Sequence, residues 1–156
     1  IPAWVHPDLP RLLTVFHGEN YTTRAISHVT LPPDALFARI TTATTVPTPR
    51  YTTVQAGPAH HIELNSDLVY INHSCVPNLI FDMERWEVRV SEKGLKEGEE
   101  LTFFYPSTEW KMERGFECSC GESNCLGYVE GAKDLDEMTL RRFWLSRHIK
   151  ELKEEQ

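Results

Sequence analysis

Cys118-Ser119-Cys120-Gly121-Glu122-Ser123-Asn124-Cys125 holds three of the four cysteines of this chain. The fourth, Cys75, lies far upstream in the stretch Asn72-His73-Ser74-Cys75-Val76-Pro77-Asn78. A tetrahedral structural zinc takes four ligands, and thiolates supplied by two distant segments pin those segments together. We therefore expect the two stretches to meet in space, and we place the candidate active site where they meet.

Four cysteines are also enough for two disulfides in a secreted protein. The short Cys118-x-Cys120 spacing argues against this alternative, because cysteines so close in sequence rarely bridge each other and such clustering suits metal thiolates. The pattern favours one structural zinc ion bound by Cys75, Cys118, Cys120 and Cys125.

The composition is that of an ordinary globular domain, with 156 residues, of which 40% are apolar and 25% charged. No run of about 18 apolar residues occurs, so no membrane span is predicted. The chain begins at Ile1 rather than at Met, which leaves open a removed upstream segment. The formal charge of −7 argues against direct nucleic-acid binding and suits a cationic partner, although a solvated acidic surface is the simpler reading.

Short runs of β-branched and aromatic residues, separated by turn residues, predict a mainly β chain. The predicted strands are Ala35–Ala38, Arg50–Val54, Leu68–Ile71, Leu79–Phe81, Trp86–Val90 and Leu101–Tyr105, with an exposed loop over Thr41–Pro49. The runs ending at Phe81 and Val90 are expected to form a hairpin. Helical spacing of apolar residues predicts one helix from Leu135 to Lys153, preceded by a capping box of Asp134 and Glu137.

Three elements occur in order: Tyr70–Asn78, then Gly98-Glu99-Glu100-Leu101-Thr102-Phe103-Phe104-Tyr105, then the Cys-x-Cys-x4-Cys stretch. Together they resemble the SET domain and post-SET zinc segment of protein lysine methyltransferases. The resemblance implies a mainly β SET fold with pseudoknot-like threading of the Asn-His-Ser-Cys segment. We divide the chain into a SET domain at 1–115 (with an irregular N-terminal part and core motifs at 68–105), a post-SET zinc segment at 116–131 and a C-terminal helix at 132–156.

The resemblance also implies S-adenosyl-L-methionine as the methyl donor. Asn72 and His73 match the residues that hold the donor, Tyr105 matches the catalytic tyrosine, and Tyr128 matches an aromatic position beside the adenine. Each residue has a plainer alternative role. Tyr105 is also a typical core strand residue, Asn72 is a good turn cap, and Tyr128 could simply pack.

The chemistry of amine methylation suits these residue types. The nucleophile must be a neutral amine, and a narrow aromatic channel disfavours the ammonium form by desolvation. In the family that the chain resembles, a Phe or Tyr two residues before the catalytic tyrosine biases the product; here that residue is Phe103, and Phe81 is the second predicted channel residue. Because phenylalanine has no hydroxyl to bind a water or the amine, Phe103 favours di- or trimethylation.

The sequence departs from the family pattern at several positions. Tyr21-Thr22-Thr23-Arg24 stands where a glycine-rich donor turn is expected, Val69 where arginine is common, and Phe104 where an acid or amide is common. The favoured function is methyl transfer to lysine in a protein or peptide, with a histone as one candidate. The alternative is a catalytically weak SET-fold module, stabilised by zinc, that binds lysine peptides. We expect an intracellular protein of nucleus or cytoplasm, and the sequence leaves the oligomeric state open.

Overall fold

A computed structural model describes residues 9–19, 23–50, 52–112, 115–118, 120, 122–123 and 125–156. The strands are β1 (Leu13–Phe16), β2 (Arg24–Ser27), β3 (Leu36–Arg39), β4 (Thr44–Val46), β5 (Thr53–Gly57), β6 (His60–Glu63), β7 (Asn72–His73), β8 (Leu79–Asp82), β9 (Glu87–Val90), β10 (Thr102–Phe103), β11 (Phe116–Glu117) and β12 (Tyr128–Val129). The α-helices are α1 (Leu9–Leu12), α2 (Glu137–Leu140) and α3 (Arg147–Glu155), and 3-10 helices span Asp67–Tyr70, Tyr105–Ser107 and Ala132–Asp134. The predicted mainly β class is confirmed.

Two antiparallel sheets, with strand orders β3-β9-β8 and β4-β6-β5, form the body of the fold. Strands β1 and β2 pair antiparallel, as do β11 and β12, whereas β7 and β10 pair in parallel. Parallel neighbours need a long crossover, which here is the chain between them and contains the β8-β9 hairpin. The crossover places the Asn72–His73 segment beside Thr102–Phe103, as a threaded, pseudoknot-like segment requires.

The β8-β9 hairpin confirms the prediction for Leu79–Val90 and supplies much of the core. Side chains alternate along a strand, so residues two apart share a face. Leu79, Phe81, Val88 and Val90 all turn inward and are at most 1% exposed. Full burial of a side chain such as Phe81 contributes about 3 kcal/mol at the upper end. This hairpin lies in the core next to the candidate site, where Phe81 of β8 stacks on Phe103.

The predicted strand at Leu68–Ile71 is wrong, because the segment is the 3-10 helix Asp67–Tyr70. The Ser66 hydroxyl accepts a hydrogen bond from the Leu68 amide, and the Ile71 amide bonds back to the Leu68 carbonyl. These local bonds compete successfully with strand pairing, as serine caps commonly do. The turn delivers the chain directly into β7.

One other strand prediction and one loop prediction need correction. The strand predicted to run from Leu101 to Tyr105 ends at Phe103, because Tyr105 begins a 3-10 helix whose first turn contains Pro106. The loop predicted over Thr41–Pro49 contains β4, which pairs with β6. The sequence of β4 is threonine-rich and suits an edge strand as well as a loop.

The continuous helix predicted from Leu135 to Lys153 is also wrong in extent, since the segment is divided into α2 and α3. The N-cap of α2 is Asp136, whose carboxylate accepts from the Thr139 amide, rather than Asp134. Between the helices Ser146 has an extended backbone, with φ of −63° and ψ of 152°, and its hydroxyl donates to the Phe81 carbonyl. The helix is interrupted at this extended residue. A shorter C-terminal helix, α3, is present. In the described ranges, no helix has the length and apolarity needed to cross a bilayer.

Candidate active site and metal centre

The four cysteine sulfurs converge from the two distant segments. Their Sγ atoms all lie within 4.8 Å of one another, and those of Cys75 and Cys118 are 3.9 Å apart. A tetrahedral zinc with Zn–S bonds of about 2.3 Å sets its sulfurs about 3.8 Å apart. The thiols are free rather than paired in disulfides. The donor set and its spacing therefore fit a closed four-cysteine zinc site.

Backbone amides surround the sulfur cluster. The Leu126 amide donates to Cys75 Sγ at 3.4 Å, and the Gly127 amide donates to Cys125 Sγ at 3.4 Å. Gly127 has a φ of +79°, a left-handed conformation that glycine adopts without strain. Hydrogen bonds of this kind orient and stabilise metal-bound thiolates.

The thiols of the cluster have shifted pKa values. Burial raises the pKa of Cys75 and of Cys118. Burial acts in the same direction at Cys120, but hydrogen bonds from the Glu122 backbone and from neighbouring groups bring its pKa down to about 7. A coordinating divalent cation deprotonates its thiols outright. Such a cation would therefore hold all four sulfurs as thiolates despite their burial and mutual repulsion.

The segment that precedes Cys75 is held by asparagine side chains. The Asn72 amide nitrogen donates to the Thr23 carbonyl at 2.8 Å and to a Glu100 carboxylate oxygen at 3.3 Å. Asn78 donates to the Glu100 carbonyl at 2.8 Å and accepts from the Thr102 amide at 2.9 Å. These bonds satisfy backbone groups on both sides of the segment and position the predicted donor-binding residues.

Tyr105 lies where these segments meet. Its hydroxyl donates to the Ile71 carbonyl at 3.1 Å, and its backbone amide donates to Nδ1 of His73 at 3.1 Å. Desolvation raises the pKa of Tyr105, and the carboxylates of Glu109 and Glu100 raise it further. The phenol therefore stays protonated at neutral pH, with its hydrogen directed at a backbone carbonyl.

His73 is half-buried, and its ring lies between Tyr105 and the cysteine cluster. Burial lowers the pKa of His73 to about 4, so the ring is neutral at pH 7. Its Nδ1 accepts from Tyr105, and its Nε2 lies 3.5 Å from Cys75 Sγ. Both ring nitrogens of His73 therefore have partners within the protein.

The two predicted channel residues lie against each other beside Tyr105. The Phe81 and Phe103 rings stack with centroids 4.0 Å apart, and Phe103 lies 4.7 Å from the Tyr105 ring. Phe81 is fully buried and Phe103 is 6% exposed. Phe104 turns to the other side of the chain and stacks on Phe143 at 3.6 Å, as the expected alternation of faces requires.

Two residues of the site were missed by sequence reasoning. Phe116 contacts the rings of His73 and Tyr105 at 5.4 and 5.9 Å, and its position just before Cys118 could have drawn attention to it. Glu109 is half-buried, its carboxylate accepts from the Gln55 amide and the Thr108 hydroxyl, and desolvation raises its pKa to about 7. Nothing in the sequence distinguishes Glu109 from a surface carboxylate.

Tyr128 presents an aromatic ring at the surface of this region. It is 53% exposed and lies on β12, on the face opposite that of Phe116 in the β11-β12 pair. A Cβ atom added to Gly115 would lie 2.7 Å from Cε1, Cζ and the hydroxyl oxygen of Tyr128, so the phenol end of the ring lies directly against Gly115. An exposed ring in this position fits the stacking role predicted for the donor's adenine.

Other predicted features lie elsewhere. His60 and His61 lie on β6, as expected of strand histidines. Tyr21 and Thr22, in the segment where the donor turn is expected, fall outside the described residues. A cleft of about 580 Å³ beside β8 and β9 shares Cys75 with the cluster, but its described lining does not include Tyr105.

Comparison with known proteins identifies the family. The family model described as "SET domain" matches residues 19–106 of this chain. A relative named methyltransferase flvH, from Aspergillus flavus, is 53% identical over 97% of this chain and 86% of its own length. The histone-lysine N-methyltransferase ash1 of Drosophila melanogaster is 32% identical over 44% of this chain, which corresponds to 3% of its own length. This chain therefore spans most of the first relative and a small part of the second.

A solved structure shows the same fold. KRYPTONITE in complex with mCHG DNA and SAH matches with a TM-score of 0.56 and 21% identity, over 76% of this chain and 29% of that protein. At this level of identity the likeness is one of fold alone. The family match and the full-length relative carry the assignment further: this chain belongs to the SET-domain family of protein lysine methyltransferases and is an enzyme.

Proposed function

We propose that this enzyme transfers methyl groups from S-adenosylmethionine to the side-chain amine of lysine in a protein or peptide, to the di- or trimethyl state. One observation carries the proposal. The Tyr105 hydroxyl is directed at the Ile71 carbonyl, immediately before the Asn72–Cys75 segment, and its ring lies beside the stacked pair of Phe81 and Phe103. The Tyr105 phenol therefore lies between the Asn72–Cys75 segment and the aromatic pair of Phe81 and Phe103.

The donor supplies an electrophilic methyl group on a positively charged sulfur. Asn72 is the proposed partner of the donor's amino-acid part, and its orientation is set by bonds to Thr23 and Glu100. Because the His73 ring is engaged inside the protein, we assign the donor contact of His73 to its backbone. The exposed ring of Tyr128 is available to stack on the adenine.

The chain's own residues prepare the amine. An unperturbed lysine has a pKa of about 10.4, so its neutral form is disfavoured by about 4 kcal/mol near pH 7.4. The apolar ring of Phe103, which stacks on the fully buried Phe81, disfavours the ammonium by desolvation. In-line displacement then depends mainly on position. The Tyr105 hydroxyl donates its hydrogen bond to the Ile71 carbonyl, so the lone pairs of its oxygen are available to accept a hydrogen bond from the amine and orient it.

Tyr105 acts by orientation rather than as a general base. Its raised pKa keeps the phenol protonated over the working pH range. Charge is lost from the donor as the methyl group leaves, and exclusion of water from the site by Phe103 and Phe116 favours that change. The proton on the amine must therefore leave before methyl transfer, by a route that does not use Tyr105.

The proposed zinc ion has a structural role. Coordination by Cys75, Cys118, Cys120 and Cys125 would tie the Asn72–Asn78 segment to the segment that carries Phe116 and Tyr128. A metal that binds only the folded arrangement contributes its binding energy to folding. The zinc would thereby hold Phe116, Tyr128 and the Asn72–Asn78 segment in place without contacting the donor or the lysine.

The substrate is proposed from charge and from relatives. A net charge of −7 suits a lysine-rich partner. Ash1 and a second relative from Mycosarcoma maydis, 35% identical over 43% of this chain and 7% of its own length, are named as histone-lysine enzymes. A histone is therefore the first candidate substrate, which would place activity in the nucleus, and a cytoplasmic protein is the second.

Donor binding and product mass test the proposal directly. The zinc-loaded protein is titrated with S-adenosylmethionine by calorimetry and then incubated with a lysine peptide array and labelled donor. We expect micromolar donor binding and labelled peptides whose mass rises in one-methyl steps. Absence of donor binding at millimolar concentration, from folded protein with its zinc in place, would refute methyl transfer and leave a lysine-peptide binding module.

A further inference from the structure

His73 lies between two functional elements that are distant in the sequence. On one side its Nδ1 accepts the backbone N–H of Tyr105 at 3.1 Å. On the other side its Nε2 lies 3.5 Å from Sγ of Cys75. One imidazole ring therefore contacts both the proposed catalytic tyrosine and a sulfur of the cysteine cluster.

The first contact determines the tautomer of the ring. A ring nitrogen that accepts an N–H must be unprotonated, so the single ring hydrogen of neutral His73 lies on Nε2. Nε2 then donates to the sulfur of Cys75, which also accepts from the Leu126 amide. The two hydrogen bonds run in one direction, from the Tyr105 amide through the ring to the sulfur.

The ring is held in this orientation by packing. Its centroid lies 5.4 Å from Phe104, 5.3 Å from Tyr105 and 5.4 Å from Phe116. The Tyr105 and Phe116 rings meet it edge-on, at interplanar angles of 75° and 82°. Rotation of the imidazole would require these neighbours to move, so the alternative hydrogen-bonding arrangement is disfavoured.

We propose that the His73 side chain is a positioning group that couples the cysteine cluster to the placement of Tyr105. A thiolate of a loaded cluster accepts a charge-assisted bond from Nε2–H, which is stronger than a bond to a neutral thiol. Polarisation of the ring then makes Nδ1 a better acceptor for the Tyr105 amide. Metal binding thereby tightens the backbone that carries the phenol. The importance of Tyr105 rests on the proposed function, but the coupling itself does not.

Two substitutions separate the two contacts. His73→Asn keeps an oxygen near the Nδ1 position, where it can accept from Tyr105, but has no atom that reaches Cys75. His73→Gln places an amide nitrogen near the Nε2 position, where it can donate to Cys75, but loses the acceptor at Nδ1. His28→Asn, at an exposed histidine, is the matched control.

Three measurements on zinc-loaded protein test the coupling, none of which depends on turnover. Long-range nitrogen–proton NMR should show wild-type His73 as the Nε2–H tautomer. Competition with a chromophoric chelator should show about 10- to 100-fold weaker zinc binding in His73→Asn. Hydrogen exchange should show about tenfold faster exchange of the Tyr105 amide in His73→Gln. Zinc affinity should change less in His73→Gln than in His73→Asn, and Tyr105 amide exchange should change less in His73→Asn than in His73→Gln.

The proposal would be overturned by an Nδ1–H tautomer in the wild-type protein, a measurement that needs no variant to fold. It would also be overturned if both variants changed zinc affinity and Tyr105 exchange equally, as a general loss of packing would do. Failure of the methyl-transfer experiment would leave these three results unchanged, so the two proposals can fail separately.

Discussion

Tyr105→Phe removes one hydroxyl and leaves the rest of the site in place. The Phe103 contact at 4.7 Å and the His73 contact at 5.3 Å involve the ring, and the bond to His73 Nδ1 comes from the backbone. The bond that is lost joins the hydroxyl to the Ile71 carbonyl at 3.1 Å. The variant therefore tests the hydroxyl alone.

The expected effects on stability and on rate differ in size. Ile71 is 1% exposed, so its carbonyl loses a partner in a buried setting, which costs about 1–3 kcal/mol of unfolding free energy. Loss of a single group oriented at the reacting centre lowers turnover by about 10²–10³-fold, or about 2.7–4 kcal/mol of activation free energy. Donor affinity should be unchanged, because the donor contacts are assigned to other residues.

Single-turnover methylation of a lysine peptide, with urea unfolding and donor calorimetry on the same samples, measures all three quantities. Tyr70→Phe is the matched control, since Tyr70 packs edge-on against His17 at 5.2 Å and has no assigned part in the chemistry. A folded, donor-binding Tyr105→Phe enzyme that retained more than about a tenth of the wild-type rate would contradict the orienting role of the phenol.

Three further predictions follow from burial and close packing. The pKa of Glu109 is raised to about 7 from an unfolded value of about 4.3, so the stability that its protonated form contributes is complete below about pH 4 and is lost as the pH rises through 7. Glu109→Gln keeps an acceptor for the Gln55 amide. It should raise the unfolding free energy at pH 8 by up to about 3 kcal/mol and leave it unchanged at pH 4. Urea unfolding that gave the same difference between variant and wild type at both pH values would contradict this. Gly115→Ala should displace the Tyr128 ring and weaken donor binding by about tenfold in calorimetry, whereas equal affinity would exclude stacking by Tyr128. Phe103→Tyr adds a hydroxyl beside Phe81 and should shift products towards monomethyl lysine by mass spectrometry; an unchanged product ratio would show that Phe103 does not set the methylation state.

Local patterns were sufficient for the class of fold and for the four cysteines that the structure brings together, whereas the roles assigned to the other site residues stay predictions. The β8-β9 hairpin follows from alternating apolar residues, which is a property of neighbours in the chain. The convergence of Cys75 with Cys118, Cys120 and Cys125 follows from ligand chemistry, because four thiols in this spacing suit one metal. Tyr105 was selected through the order of motifs, and the structure places it beside His73.

Other features were decided by contacts between distant segments. Ser146, the residue before α3, donates its hydroxyl hydrogen to the Phe81 carbonyl, and the Glu109 carboxylate accepts from the Gln55 amide of β5. The tautomer of His73 depends on Tyr105 and Cys75 together. Sequence alone determined which chemical groups the chain offers, since periodicity and ligand spacing are local. The tertiary structure decided which groups are desolvated and hydrogen-bonded, because burial and hydrogen-bond direction depend on neighbours that the folded chain brings together.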